Sequence, residues 1–337
     1  MAIRYVFRAD ASPEIGAGHV MRLCSIIEEM LERELVVLLV GNIKGIPWLA
    51  KRVETLGNKL KFIEENDFIS DPSSDVLIID SYTLDIDSDF FMKKKWLKIA
   101  ALVEVGTPKY KADLYIHCGT NSKIESDYEF LNSKFIGGIE YLPIRQSIQK
   151  IENQLRIVGD IHPLRILVVG GGTDPLNFVR KFSLELLKFK QEFYAVLISD
   201  QPDICIPLDG RFSQRSIGTN LESELVDSDL IFTLSGTSSW DFLSCGFPLG
   251  IAMGFENQED NYEFQVSNKL AIGIGKFTSK NMFEFNRDNI NSLMQSHDLR
   301  MELSTMARMK VDSLGVERIV KALVELARLS TQETPRS

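Results

Sequence analysis

Histidine is scarce in this chain, and one of its four histidines directly follows a glycine-rich loop. Residues 8–19 read RADASPEIGAGH and lie between an apolar run that predicts a strand and a pattern that predicts a helix. Gly16 and Gly18 permit a tight turn and a close approach of backbone to ligand. His19 then falls in the first helical turn, where the helix dipole favours a neutral imidazole that can act as a base. A turn whose histidine only caps the helix is an equal alternative.

Two loops in the second half have the composition of anion sites. Residues 170–177, GGGTDPLN, follow a predicted strand, and their backbone N–H groups form a cradle suited to a diphosphate. Pro175 fits the first turn of the next helix, and Thr173 or Asp174 can cap it. The loop at 235–241, SGTSSWD, has the same strand–loop–helix setting. A purely structural turn is the alternative for the glycine loop.

The elements that must position these loops form repeated βα units. Short apolar runs alternate with amphipathic stretches, which is typical of a parallel sheet covered by helices. The patterns predict strands at 3–7, 35–40, 75–80, 98–103, 113–117, 165–169, 193–198, 229–234 and 248–252. They predict helices at 18–33, 175–188 and 315–329.

These elements predict an α/β fold of two Rossmann-like, doubly wound domains with a cleft between them. The polar segment 145–163 is the predicted linker. We expect an N-terminal domain at 1–150, a C-terminal nucleotide-binding domain at 151–330 and a disordered tail at 331–337. Sheets of this kind bind ligands at the carboxyl ends of their strands.

Composition excludes several classes of function. Asp and Glu total 47 against 38 for Lys and Arg, a net charge of −9, which disfavours general nucleic-acid binding. Four dispersed cysteines give neither a disulfide framework nor a zinc site, and Cys118 and Cys245 have no neighbouring base in the sequence. No apolar run reaches 18 residues, so we expect a cytoplasmic protein without membrane insertion. No His/Asp/Glu spacing fits a metal site, and we expect neither metal nor cofactor. His117 is interpreted as packed.

The string RADASPEIGAGHVMRL closely resembles the N-terminal signature of the UDP-sugar hydrolases of pseudaminic acid biosynthesis and of their spore-coat polysaccharide relatives. That family in turn resembles the two-domain GT-B glycosyltransferases. The resemblance implies that His19 is catalytic together with Asp10, and that Arg8, Gly16 and Gly18 surround the sugar.

Further matches extend the resemblance along the chain. DSYTLD at 80–85 is similar to a family segment that contributes to the cleft, which adds Asp80 and Tyr82 to the substrate site. The GGxDPxN loop implies a phosphate site, and Asn257 and Gln258 match a pair beside the sugar phosphate. The nucleotide-binding residues implied by the resemblance are Gly171, Gly172, Thr173, Thr237, Ser238, Ser239 and Asp241. At the last of these the family has Glu, whose carboxylate bonds the ribose hydroxyls.

Two departures from the family pattern fall on the sugar-facing side. An Asp-Asp pair is expected around 101–106, where this chain has only Glu104. Around 141–147 Tyr141 and Arg145 are retained as substrate-binding residues, but the family's Pro and Glu are absent. Both differences bear on the identity of the sugar and on the reaction.

The leading hypothesis is hydrolysis of a UDP-linked, N-acylated deoxy sugar at its anomeric carbon, with His19 as general base. The substrate, a small-molecule nucleotide-sugar, would be the only ligand, and the protein a monomer or weak homo-oligomer. Two alternatives stay open: a GT-B-like glycosyltransferase that uses a UDP-sugar donor, and a nucleotide-sugar binding protein without turnover.

Overall fold

The computed structural model describes residues 2–57, 60–92, 96–120, 123–128, 133–151, 163–201, 210–218, 221–279 and 282–332. The chain forms two compact units. The first comprises Met1–Ile144 and the C-terminal segment from Ser313, and the second is Arg145–Asp312. Most of the predicted linker (152–162) and residues 333–337 of the predicted tail lie outside the described residues.

The first unit is built on a seven-stranded parallel sheet of order β3-β2-β1-β4-β5-β6-β7. Its strands are β1 (Arg4–Arg8), β2 (Val36–Val40), β3 (Leu60–Ile63), β4 (Asp75–Ile79), β5 (Lys98–Leu102), β6 (Leu114–His117) and β7 (Lys134–Gly137). Its helices are α1 (Gly18–Glu32), α2 (Pro47–Thr55), α3 (Asp89–Met92) and the C-terminal α11 (Gly315–Gln332). The central strands are apolar on both sides because both faces of a parallel sheet are covered.

The second unit repeats this order with strands β10-β9-β8-β11-β12-β13-β14, in which only the edge strand β14 runs antiparallel. Its strands are β8 (Leu164–Val169), β9 (Phe193–Ile198), β10 (Phe212–Arg215), β11 (Leu230–Leu234), β12 (Leu249–Met253), β13 (Ile272–Ser279) and β14 (Met282–Phe285). Its helices are α4 (Gln146–Gln149), α5 (Phe178–Leu186), α6 (Leu221–Val226), α7 (Thr237–Ser244), α8 (Glu259–Ser267), α9 (Arg287–Gln295) and α10 (His297–Lys310).

The predicted α/β class with two doubly wound sheets is confirmed, but the domain limits differ from those predicted. The second unit begins at Arg145 rather than at 151, and the C-terminal helix belongs to the first unit. This helix contacts α1 and buries Ile319, Val320 and Leu323 in the first unit's core, which its amphipathic pattern favours over exposure. It also runs to Gln332, two residues into the predicted tail.

In both sheets the strand order reverses beside the first strand of the unit. In the first unit this switch point lies between β1 and β4, so the loops after these strands meet at the carboxyl edge. In the second unit it lies between β8 and β11. The loops that the sequence selected, at 8–19 with 80–85 and at 170–177 with 235–241, all follow these four strands. Ligands bind at such positions in doubly wound sheets.

Candidate functional site

The loop between β1 and α1 is a compact turn with an open outer face. The Gly16 N–H donates to the Ser12 carbonyl (2.7 Å), and Gly16 has φ +85°, a left-handed conformation that favours glycine. Gly18, the first residue of α1, is exposed and needs no such conformation. A β-carbon added at either glycine would meet no atom within 4 Å. The space beside this loop is therefore available to a ligand.

His19 lies in the first turn of α1 with its ring almost fully buried. Its Nδ1 is 2.7 Å from Oδ1 of Asp80, which follows β4. Since a carboxylate accepts, Nδ1 carries the hydrogen and Nε2 is the atom that can take a proton. The ring of Tyr82 contacts the imidazole edge-on with centroids 4.7 Å apart. The structure thus brings the predicted residues His19, Asp80 and Tyr82 together.

Arg22 lies one turn after His19 and contacts the same carboxylate. Its guanidinium donates from Nε and Nη2 to the two oxygens of Asp80, and Nη2 also donates to Oε1 of Glu104 (2.7 Å), which follows β5. Arg22 is 11% exposed, so the ion pairs are poorly screened by water. Three adjacent elements (α1, β4 and β5) therefore converge on one buried charge cluster, defined as His19, Arg22, Asp80 and Glu104.

Arg22 fixes the ionisation of the two carboxyls. Burial opposes their ionisation, but the charge and hydrogen bonds of Arg22 outweigh it, together with those of His19 at Asp80, so the pKa of Asp80 falls to about 2 and that of Glu104 falls below its ordinary value. The hydroxyl of Tyr82 also donates to Glu104. Cys118 faces the same charges, and burial raises the pKa of its thiol to about 12. The charge cluster thus holds two carboxylates, one guanidinium and the His19 imidazole, and the Cys118 thiol beside it is neutral.

The charge cluster brings together a histidine and two acids, a grouping that the spacing of these residues in the sequence did not indicate. Ligand atoms of His19, Asp80 and Glu104 lie within 4.8 Å of one another, although the residues are distant in sequence. However, Arg22 already occupies the position between the two carboxylates and neutralises one of them. A cation would have to displace the guanidinium, so the donor set fits an arginine better than a divalent metal.

Arg8 is placed for support rather than for contact with a sugar, whereas Asp10 is 17% exposed and its catalytic role stays a prediction. The Arg8 side chain is 3% exposed and pairs with Asp10 (2.8 Å) and with Glu65. Asp10 also accepts the N–H of Asn42 (2.8 Å), and the Arg8 guanidinium lies over the Phe90 ring. We predicted Arg8 as a substrate-binding residue, but its burial excludes this in the described conformation. Its role is to hold Asp10 and the start of the loop.

In the second unit the glycine loop and α5 are separated by a turn. Gly171 has φ +90° and an open outer face, and Asp174 and Asn177 also have positive φ. The buried Asp174 carboxylate accepts the N–H groups of Phe178 (2.7 Å) and Val179 (3.2 Å) at the start of α5. The predicted capping by Asp174 is confirmed. The predicted helix start at Pro175 is wrong, because α5 begins at Phe178 after the 174–177 turn. Gly172 and Thr173 are half-buried in the loop.

The loop after β11 leads into α7 as predicted, with Gly236 at its N-cap. Thr237 is exposed and Ser238 half-buried, so both can face a ligand. Ser239 cannot offer its hydroxyl, since it is buried, donates to the Gly236 carbonyl (2.7 Å) and accepts from Gln265 (2.9 Å). Trp240 is buried in the core.

The polar loop after β12 reaches the same place. Gln258 Oε1 accepts the Gly254 N–H (3.1 Å), and its amide nitrogen lies beside Gly236. Asn257 is exposed on this loop. The second unit therefore places the loop that carries Asn257 and Gln258 beside the N-terminus of α7.

The acid predicted to bind ribose is already engaged. Asp241 is 4% exposed, and its carboxylate accepts both the backbone N–H (3.0 Å) and Nε (2.8 Å) of Arg145. Burial raises the pKa of Asp241, and Arg145 opposes that shift. In this conformation the Asp241 carboxylate is engaged by Arg145 rather than free for a ribose, which differs from the prediction. Nη2 of Arg145 is buried without a hydrogen-bond partner among the described residues, so a substrate contact of Arg145 stays a prediction. Tyr141, predicted beside Arg145, belongs to the first unit and packs against its core.

Sequence reasoning missed Arg22 and did not assign a role to Glu104. One signal was available, because residues at i and i+3 of a helix share a face, which places Arg22 beside His19. The contact of Glu104 with Arg22 depends on the β1-β4-β5 order of the sheet and has no counterpart in sequence spacing. His117, interpreted as packed, is buried with Nδ1 against the Val103 carbonyl (2.8 Å).

The similarity of this sequence to known proteins is weak. No family model matches the chain. An uncharacterized protein of Methanocaldococcus jannaschii is 26% identical over an alignment 278 positions long, which covers 75% of this chain. This chain spans about half of that relative, the match covering 56% of its length.

Three solved structures show the similarity of fold at low sequence identity. A Listeria monocytogenes protein assigned as a UDP-N-acetylglucosamine 2-epimerase has a TM-score of 0.67 at 13% identity, covering 100% of this chain and 98% of its own. MurG of Acinetobacter baumannii gives 0.59 at 10%, covering 96% and 99%. Arabidopsis thaliana UGT89C1 complexed with UDP gives 0.60 at 12%, covering 95% and 99%. The chain has the two-sheet fold of the GT-B glycosyltransferases. Among the described residues, no helix combines the length and apolarity needed to span a bilayer.

Proposed function

We propose that the protein hydrolyses a UDP-linked, N-acylated deoxy sugar, with His19 as the general base. The observation that carries the proposal is the His19–Asp80 pair at the first switch point, which fixes one ring nitrogen and leaves Nε2 for proton transfer. The sequence signature, which resembles that of the pseudaminic acid hydrolases, and a structural neighbour solved in complex with UDP support the same substrate class.

The proposed reaction needs one base and a good leaving group. Water attacks the anomeric carbon, and its proton passes to Nε2 of His19. The bond from that carbon to the diphosphate oxygen breaks, and UDP leaves with the electron pair, so the products are the free sugar and UDP. Asp80 stabilises the imidazolium that forms, and a positioned base of this kind contributes roughly 10²–10⁴-fold.

We assign the UDP moiety to the second unit. Gly171, Gly172 and Thr173 after β8 and Thr237 and Ser238 after β11 surround its switch point, and backbone N–H groups at such a place suit phosphate. Asn257 and Gln258 lie on the loop beside the same helix terminus. Because Arg22 fills the position between the acids of the charge cluster, we propose that the reaction uses no metal.

The test is UDP release from a panel of UDP-N-acetyl sugars, with and without hydroxyl acceptors. The variants are wild type, His19→Ala and the control His297→Ala, which changes a half-buried histidine at the start of α10. Release in water by wild type and control, lost by 10²-fold or more in His19→Ala, supports the hydrolase.

The same assay decides between the hydrolase and its alternatives. The GT-B fold also fits a glycosyltransferase, and release that requires an acceptor would establish that function instead. Tight UDP-sugar binding without release under either condition would leave a binding protein and overturn the proposal.

A further inference from the structure

The side chains that face His19 include charges of both signs. One of them, Arg22, contacts the same Asp80 carboxylate as His19 does. From α1 comes Arg22, from the loop after β4 come Asp80 and Tyr82, and from the loop after β5 comes Glu104. Cys118, after β6, faces Arg22 and both acids, and its thiol is neutral because burial raises its pKa to about 12. Within the part of the chain that the structure describes, the charged neighbours of His19 are therefore one cation and two anions.

We propose that Arg22 and Glu104 are positioning residues that set, through Asp80, the pH range in which His19 can accept a proton. This inference rests on the proposed function of His19 as base. Arg22 donates to Oδ1 of Asp80, the same oxygen that His19 contacts, and its Nη2 lies 3.2 Å from Nδ1 of the imidazole. Neither residue need touch the substrate for this role.

The physical reason is the balance of charge around a buried ring. A carboxylate beside a histidine stabilises the imidazolium. The Arg22 cation offsets that effect, whereas Glu104 restores part of it and holds the guanidinium in place at 2.7 Å. Because the His19 ring and Asp80 are almost inaccessible to water, the charges of Arg22, Asp80 and Glu104 act on the ring at a low effective dielectric constant.

The two residues must then act in opposite directions. Arg22→Met removes a positive charge, so the imidazole should hold its proton to higher pH, by about one pH unit or more. Glu104→Gln removes a negative charge with little change of shape, so the ring should lose its proton at lower pH, by roughly half a unit or more. The double variant should return towards wild type. Arg22→Lys, which keeps the charge, should stay closer to wild type than Arg22→Met.

The experiment is an NMR titration of the histidine side chains in the full-length chain, with His19 assigned by its loss in His19→Ala. The chain has only four histidines, which makes the assignment direct. The acid limb of the pH–rate profile for UDP release is measured in parallel. Opposite shifts in Arg22→Met and Glu104→Gln support the inference, and an unmoved midpoint or shifts of the same sign would overturn it.

The design separates this inference from the proposed function. If the charge cluster serves stability alone, Arg22→Met and Glu104→Gln should both lower the unfolding free energy and leave the titration midpoint of His19 unchanged. If Arg22→Met does not fold, Glu104→Gln still tests the sign, since a midpoint that is unmoved or shifted to higher pH in that variant would overturn the inference. Since the titration needs no substrate, opposite shifts in a protein that releases no UDP would refute the hydrolase and leave the electrostatic inference standing.

Discussion

The substitution Gly18→Ala separates a glycine that the fold needs from one that a ligand needs. Gly18 is the first residue of α1, is exposed, and has open space where a β-carbon would stand. An alanine there relieves the backbone entropy of glycine, so the unfolding free energy should stay constant or rise by about 0.5–1 kcal/mol. Stability therefore gives no reason for glycine at this position.

Ligand binding should respond in the opposite sense. If the sugar lies against the Gly16–Gly18 loop, the new methyl group takes its space, and a steric conflict of this size costs about 1–3 kcal/mol. That corresponds to a rise of roughly 5- to 150-fold in KM for the UDP-sugar. Gly16→Ala provides the contrast, because its φ of +85° makes alanine cost about 1–2 kcal/mol of stability as well.

The assay is urea denaturation combined with steady-state UDP release, or with calorimetric binding if turnover is slow. Gly210→Ala is the matched control, since Gly210 also has open space around an added β-carbon but lies in the turn before β10 of the second unit. Unchanged stability with unchanged KM in Gly18→Ala would refute the argument that a ligand approaches this loop. A loss of stability above 1 kcal/mol would show that the loop is packed more tightly than described.

Three further outcomes follow from the same structure. Burial raises the pKa of Asp174 from 3.8 to about 6, so the folded state binds its proton more tightly and the unfolding free energy should fall, by up to about 3 kcal/mol, as pH rises through that window. The difference in unfolding free energy between wild type and Asp174→Asn, measured by denaturation at pH 4 to 7, should carry this slope, and a flat difference would contradict it. Burial raises the pKa of Cys24 and Cys118 to about 12 and of Cys245 to about 11, so iodoacetamide at pH 7.5 should leave these three thiols unmodified in the folded protein, and their rapid alkylation, located by peptide mass spectrometry, would be the contrary result. Dialysis against EDTA should also leave release unchanged, because Arg22 rather than a cation holds the two acids; activity lost to the chelator and restored by a divalent metal would exclude that role.

The central strands of both sheets were predictable because their apolar runs are buried on both faces. Nine predicted strands correspond to observed ones, and β9 matches residue for residue. The missed strands lie towards the sheet edges, where one face is exposed and the apolar signal weakens: β3, β7, β10, β13 and β14. β3, for example, exposes Lys61 and Phe62. The return of α11 to the first unit was also beyond the pattern, which shows that a helix has an apolar face but not which sheet covers it.

In the candidate site, the features that depend on neighbouring residues were predictable from the sequence, and those that depend on distant residues were not. The turn at Gly16, the first-turn position of His19 and the capping by Asp174 depend on neighbouring residues, and each was readable from the sequence. The pairing of Arg145 with Asp241 joins residues 96 positions apart, so a ribose contact was predicted where an internal ion pair stands. Motif position specified that a carboxylate occurs there, but its partner is set by the fold.

The two units use one sheet order for different chemical tasks. At the first switch point the glycine loop runs directly into α1, which places a titratable ring one residue inside the helix and buries it against Asp80. At the second, the 174–177 turn separates the loop from α5, and Asp174 itself caps the helix. A helix terminus already capped by a carboxylate is a poorer anion site than an open one, so phosphate binding in the second unit should depend more on Gly171 and on the Thr237 end of α7 than on α5. The proposed function accordingly assigns proton transfer to the first unit and the leaving group to the second.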